Sequence, residues 1–266
     1  MAGSVGMCGR LNTSLDPADL ADELGASLVP HAFSERYNVP PGSTIPILVD
    51  RPDAGGVIER RLEPARWGLV PGWAKDLRAG FRAFNARAET AAVKPTFRAA
   101  FGARRCVVPV RGYYEWEVRA TGSTGGGTAD APGRGSTPEK TPWLMESAAH
   151  PLLLMAGLFE FRRLSAEEQE AAGADPAAAS GWLVSATVLT TEARGHLREV
   201  HDRMPVMLTR TQMDEWLAPE RGSAEAGALL SAVIAGFDPA AVVRRTVSPA
   251  VGNVRNDGPE LVEPQG

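Results

Sequence analysis

Apolar positions along this chain gather in short blocks separated by Gly, Pro and charge. Thr44 to Val49, Arg105 to Val110, Leu152 to Phe161 and Trp182 to Thr190 are apolar or β-branched runs of strand length, and they are predicted strands. Asp16-Pro17 supplies a capping side chain followed by a proline in the first helical turn. Leu20, Leu24 and Leu28 then recur at helical spacing, predicting one short amphipathic helix. Two more helices are predicted, around Thr96 to Ala103 with Phe97 and Phe101 on one face, and over Ala224 to Ala235 ending before Gly236. Strands and helices do not alternate regularly, so the fold class is α+β rather than a βαβ array.

Two stretches break the pattern. Ala120 to Lys140 is crowded with Gly, Ser, Thr and Pro, and without large apolar residues it cannot offset its ordering entropy by burial. It is predicted to be a flexible insertion in a hairpin. Ser165 to Ser180 is rich in Ala and Glu and reads as a loop or a marginal surface helix. There is no internal repeat.

At 266 residues and 44% hydrophobic, the chain is large enough for one substantial core, since a domain of this size hides roughly 70 to 75% of its unfolded surface. The longest apolar run, Leu152 to Phe159, falls well short of the roughly 18 residues that span a bilayer. The opening Met1-Ala2-Gly3-Ser4 has neither a basic nor an apolar signal region, so a soluble, cytosolic protein with no membrane partner is expected. Cys8 and Cys106 are too few for a disulfide framework and are expected to stay thiols, Cys106 as inert core within its apolar run. No Cys or His spacing suggests a metal site and no Gly-rich phosphate loop follows a strand, so neither a metal nor a cofactor is expected.

Charge changes the picture once it is divided along the chain. Residues 60–119 hold thirteen Lys or Arg against five Asp or Glu, a net of +8, so the remainder carries -12 of the total -4. Such a segment can neutralise phosphates while the acidic remainder keeps the protein soluble. A solvated arginine face gives the same count, and charge alone does not choose between the two.

The candidate chemistry begins at Met7-Cys8-Gly9-Arg10. A cysteine at a free N-terminus carries an α-amine of pKa about 7.7–8.0 and a thiol of about 8.5 on adjacent carbons. The amine condenses with an aldehyde, and the thiol then closes a five-membered thiazolidine on the imine carbon. A small buried cysteine near a strand start is the plainer reading of the same residue. Polar motifs follow in order: Arg36-Tyr37-Asn38-Val39, Trp67-Gly68-Leu69-Val70-Pro71-Gly72-Trp73, Asn85-Ala86-Arg87-Ala88-Glu89-Thr90, Gly112-Tyr113-Tyr114-Glu115-Trp116, His201-Asp202-Arg203-Met204-Pro205 and Val251-Gly252-Asn253-Val254-Arg255-Asn256.

Together these motifs resemble the SRAP family, the SOS-response-associated peptidases or abasic-site processing proteins. The resemblance runs from Met7 to about Pro264, and it is their order that makes it specific. The six residues before Met7 and the Gly-rich insertion depart from the family pattern. It implies a single domain over residues 7–264, with residues 1–6 as an extension and 120–140 as an insertion, built on a curved, barrel-like mixed sheet with peripheral helices. It implies a monomer that binds single-stranded DNA and forms a covalent crosslink at abasic sites, as part of DNA repair and the SOS response. An AP-lyase side activity and a self-processing peptidase activity are implied with it.

Residue by residue, the resemblance makes Cys8 the crosslinking group and Asn85, Glu115 and His201 its catalytic partners. Glu115, between two aromatics, is suited to proton transfer by partial desolvation, and His201 titrates near physiological pH. Asn85 would hold the sugar or the Cys8 backbone. Arg10 and Arg87 would bind phosphates, Arg36 and Asn38 would line the same groove, and Trp73 would stack on bases. Ala74 stands where some relatives have a second aromatic. Each residue also has a purely structural reading: Glu115 paired with Arg111, His201 capping a turn beside Asp202, Asn85 bracing a loop.

Two other functions stay open at this point. One is an N-terminal-nucleophile hydrolase in which the Cys8 thiol attacks an amide and Asn85, Arg87 and Glu115 stabilise the acyl transfer, a reading the positive segment argues against. The other is a single-strand binding module without chemistry. The thiazolidine route also sets a condition, because trimming Met1 leaves Ala2 in front. Either translation starts at Met7 or residues 1–7 are released by self-processing, and the featureless Ala2 to Gly6 favours the first.

Overall fold

The computed structural model describes residues 9–29, 33–119 and 139–264. Cys8, the 1–6 extension and residues 120–138 of the expected insertion lie outside the described residues. Thirteen strands are described: β1 (Leu11–Asn12), β2 (Ser27–Leu28), β3 (Thr44–Pro52), β4 (Ile58–Trp67), β5 (Asn85–Arg87), β6 (Arg105–Val110) and β7 (Gly112–Arg119), then β8 (Glu139–Ser147), β9 (Leu153–Arg163), β10 (Trp182–Glu192), β11 (Arg203–Pro205), β12 (Met207–Leu208) and β13 (Val242–Thr246). The helices are α1 (Pro17–Leu24), α2 (Ala88–Ala91), α3 (Arg98–Ala103), α4 (Ala166–Ala172), α5 (Arg210–Leu217) and α6 (Ser223–Gly236).

Strands β10, β4, β3, β6 and β9 pair in that order, and β9 pairs back to β10, so these five close into a barrel. Its only parallel seam is β4 with β10; the other four are antiparallel. Strand alternation divides the core. Ile45, Ile47 and Val49, Cys106, Val108 and Val110, and Leu153, Met155 and Phe159 pack together with Tyr113 and Met145 of a second sheet. The opposite parity, Leu48, Val107, Leu154, Ala156 and Leu158, packs under Phe101, Trp216 and Leu230 of α3, α5 and α6. The second sheet has the order β1-β7-β8-β13. The expected α+β class with a curved, barrel-like mixed sheet and peripheral helices is what the chain adopts.

Asp16 caps α1 by accepting from the backbone N–H groups of Ala18 and Asp19 at 2.8 and 3.1 Å. Gly25 ends the helix at φ 61°, so Leu28, which continued the helical spacing, falls in β2 instead. Buried Arg105 closes α3 and α5, donating to the Phe101, Gly102, Trp216 and Ala218 carbonyls at 2.8–3.3 Å. Charge counted as surface in the sequence is here a structural brace.

Candidate functional site

Register brings the start of the described chain to Glu115. Leu11 pairs with Tyr113 and Asn12 with Gly112, and the Tyr114 N–H donates to the Arg10 carbonyl at 3.0 Å. Continued two residues toward the N-terminus, the same antiparallel register would set Gly9 opposite Glu115. Glu115 is 4% exposed and pairs across to Trp143 of β8. Gly112 begins β7 where a Cβ would stand 2.6 Å from the Met145 carbonyl, so this approach of β7 to β8 requires glycine.

Arg10 and Asn38 are joined. The Arg10 guanidinium donates to Asn38 Oδ1 at 2.6 Å and to the Val251 carbonyl at 2.8 Å, and it lies 5.6 Å from the Trp116 ring. Burial lowers its pKa while Tyr114 acts in the opposite sense, and an arginine so placed stays a cation. Asn38 is fully buried, its amide shared among the Val251, Asn253 and Asn256 carbonyls at 2.8–3.1 Å. Asp257 accepts from the Tyr37 and Asn38 N–H groups and from Arg36 Nε at 2.6–3.0 Å. Of the residues read as a phosphate groove, Asn38 thus holds the closing segment of the chain beneath Arg10, and Arg36 is half-buried against Asp257.

Asn85 and Arg87 lie on β5, which pairs parallel with β10 through Val188, Leu189 and Thr190. Asn85 is half-buried and Arg87 exposed. On the other edge of β10, Pro205, Met204 and Arg203 of β11 pair with Thr190, Thr191 and Glu192. His201 sits in the turn before β11. Its Nδ1 accepts the Arg203 backbone N–H at 3.1 Å and lies 2.9 Å from Asp202 Oδ1. One nitrogen cannot serve both: a neutral ring accepting from Arg203 keeps its proton on Nε2, and a protonated ring turns Nδ1–H to Asp202.

Two arginines draw these elements together. Arg203 spans β10 to Glu89, just beyond β5, with two hydrogen bonds of 2.8 Å. Arg244 on β13 lies 4.8 Å from the Trp143 ring, donates to the His196 carbonyl at 2.8 Å and pairs with Glu199, tying the approach to His201 onto the sheet that carries Glu115. Neither arginine was singled out in the sequence, although Arg203 and Glu89 stand inside quoted motifs.

Trp73 is 70% exposed on an excursion between β4 and β5. The Leu69 N–H donates to the Ala83 carbonyl at 3.1 Å, and Gly68 and Gly80 meet back to back at the neck of the excursion, where a Cβ on either would come within 2.6 Å of the other's carbonyl oxygen. Phe81, 64% exposed, belongs to the same excursion, and Val93, 71% exposed, follows α2. Among the described residues, Lys75, Arg82, Arg87, Lys94, Arg98 and Arg111 of the basic segment have no carboxylate within ion-pair reach. Arg60, Arg61, Arg66, Arg104 and Arg119 are instead paired to Asp50, Glu59, Asp175, Glu160 and Glu117 at 2.7–2.9 Å. Five of these six unpaired cations fall between residues 75 and 98, the part of the sequence that follows Trp73 and contains Phe81.

An apolar groove of about 540 Å³, lined by Phe161, Trp182, Val184 and the Arg51–Glu63 pair, contains none of the residues expected to do chemistry. Among the described residues no three His, Cys, Asp or Glu side chains gather as a metal site, and no helix is long and apolar enough to cross a membrane.

A crystal structure of a protein from Bacteroides thetaiotaomicron aligns with TM-score 0.72 at 21% identity, covering 97% of this chain and all of that one, and so shares the fold. The abasic site processing protein YoqW of Bacillus subtilis is 29% identical over 259 residues, 97% of this chain and 99% of its own. The abasic site processing protein HMCES of Mus musculus is 30% identical over 262 residues, 88% of this chain and 66% of its own. With the SOS response associated peptidase (SRAP) family model matching residues 7–254, the chain belongs to that family.

Proposed function

We propose that this protein captures abasic sites in single-stranded DNA as a covalent adduct on Cys8. The observation that carries the reading is the ladder that pairs Leu11 with Tyr113 and bonds Arg10 to Tyr114, since it brings the start of the described chain onto the strand that holds the buried Glu115 carboxyl group. The relatives' names point to the same substrate.

The abasic sugar opens to its aldehyde, the Cys8 α-amine adds, and water leaves to give the imine. The thiol then adds across the C=N bond, its sulfur bonding to carbon and a proton ending on nitrogen. Glu115 and His201 serve as proton carriers, His201 through Nε2–H to the departing ring oxygen. Asn85 holds the sugar. Arg10 and Arg87 take phosphates, and the exposed Trp73 and Phe81 offer stacking faces on a segment rich in unpaired cations, the combination that suits single strands. An imine that loses the 3′ phosphate by β-elimination cuts the strand, which gives the AP-lyase side activity. The peptidase in the family's name fits release of the residues ahead of Cys8.

Abasic and intact oligonucleotides, followed by denaturing electrophoresis, test the reading. A heat-resistant adduct with the abasic strand alone supports it, and retarded but fully dissociable complexes with both strands support the plain binding module instead.

A further inference from the structure

The segment between β9 and β10 was legible as an Ala- and Glu-rich loop or marginal surface helix, and it does form the short surface helix α4, which has no buried residue. Its neighbours show what it does. Leu164, Ala177 and Leu183 form a small separate core with Val70 and Ala74, with Leu77 and Ala172 packed alongside, so the segment is the seat of the loop that carries Trp73. Gly72 lies against the Phe161 carbonyl, with room for a Cβ only at 3.4 Å.

Arg162, 7% exposed, fastens the seat. Its Nε donates to the Ala74 carbonyl at 3.1 Å and its Nη2 to the Lys75 carbonyl at 3.4 Å, the two residues that follow Trp73. Its Nη1 donates to Glu168 Oε2 at 2.7 Å. Glu168 is itself fixed, accepting the Ser165 N–H at 3.0 Å while its own N–H donates to Ser165 Oγ at 3.2 Å, a capping box at the start of α4. The guanidinium thus binds a loop on one side and a capped helix on the other, and the indole left in solvent is held through the backbone that follows it. Lysine has no planar fork to reach two carbonyls and a carboxylate together.

We infer that Arg162 is a positioning residue for Trp73, setting the orientation in which the indole meets a base; this rests on the proposed single-strand binding. The test is a double-mutant cycle of Arg162→Lys with Trp73→Ala, read by affinity for a short single strand and by quenching of 2-aminopurine placed beside the abasic site, with thermal midpoints to confirm folding. Trp73→Ala is expected to weaken binding about 5- to 150-fold, the range for one base–aromatic stack. Arg162→Lys is expected to cost about three- to tenfold and to relieve the quenching, yet to add less than about twofold once Trp73 is gone. Should Arg162→Lys fail to fold, Glu168→Gln carries the same cycle, because it loosens the guanidinium from its far side and leaves both carbonyl bonds. Wild-type affinity in the Arg162 or Glu168 variant with Trp73→Ala impaired overturns this inference alone, as does an undiminished loss in the Trp73→Ala background. Wild-type affinity in Trp73→Ala overturns the stacking reading and this inference with it.

Discussion

Arg203 reaches across the full width of β10 to close two 2.8 Å hydrogen bonds on Glu89, and the same guanidinium donates to the Thr190 carbonyl at 2.7 Å on the way. The strand that carries Asn85 and Arg87 and the turn that carries His201 flank β10 on opposite edges, and this pair locks one to the other. It also fixes the Arg203 backbone N–H that His201 Nδ1 accepts, so the ring is aimed by a side chain that points away from it.

Glu89→Gln should therefore slow abasic-site capture more than it weakens DNA binding. A single-turnover rate reduced about tenfold or more with affinity within about twofold is the expected outcome, in line with the cost of misplacing a group by about 1 Å. Equal loss in both measurements would place Glu89 in binding rather than alignment. Since Glu89 is about half exposed, the stability cost should stay near 1 kcal/mol.

Asn38→Ala should act through stability. The substitution strips the Asn253 and Asn256 carbonyls of their Asn38 donor, leaves the Val251 carbonyl to Arg10 alone, and takes from Arg10 its shortest acceptor. A loss of about 2–4 kcal/mol is expected from unsatisfied buried groups, measured as a lower urea midpoint. An unchanged midpoint would mean that Asp257 and the bond from Arg10 to Val251 hold the closing segment without Asn38.

Gly80→Ala tests the neck of the Trp73 excursion. Its Cβ would stand 2.5 Å from the Gly68 carbonyl oxygen, and Gly68 at φ 131° cannot easily yield. A cost of about 1–3 kcal/mol is expected, with single-strand affinity falling as the excursion shifts. Affinity at the wild-type level in a destabilised variant would separate the neck from DNA binding.

Acid should loosen the protein through Glu89 and Asp175. Burial raises both pKa values, but hydrogen bonds outweigh it, from Arg203 to Glu89 and from Arg66 and Thr44 to Asp175, so both folded values are depressed. A depressed carboxyl contributes stability that is present above its unfolded pKa, about 4.3 for Glu and 3.9 for Asp, and lost as pH falls through the lower folded value. Urea midpoints should be level above about pH 5 and fall below about pH 4, and Asp175→Asn should flatten that fall. An acid limb as steep in the variant as in the wild type would assign the loss to other carboxyl groups.

The predicted strands that emerged nearly intact, β6, β9 and β10, are buried along almost their whole length, so their residues read as apolar runs. Strand β4 was missed because Ile58-Glu59-Arg60-Arg61 looks like a solvated stretch; it is held by nine paired positions with β3 and by Arg60 bound to Asp50 at 2.9 Å. Such support lies in a distant segment and leaves no local periodicity. The motif residues were legible through their resemblance, whereas Asn38 read as a groove residue because an asparagine's burial cannot be seen from its neighbours. Arg162 and Arg244 stand outside every motif, and what gives them their roles, carbonyls of the Trp73 loop and of the His201 approach, exists only once the sheets have formed.

Capture by the N-terminal cysteine is tested most directly at the atom that takes the lesion. Protein from its native host, incubated with a single-stranded abasic oligonucleotide, denatured, digested and mass-mapped, should carry the adduct on a peptide that begins at Cys8, with a sugar-derived mass lacking one water. The Cys8→Ala variant should form no stable adduct. An equal yield in Cys8→Ala, or an adduct on a chain that still begins at Ala2, contradicts capture by the N-terminal cysteine.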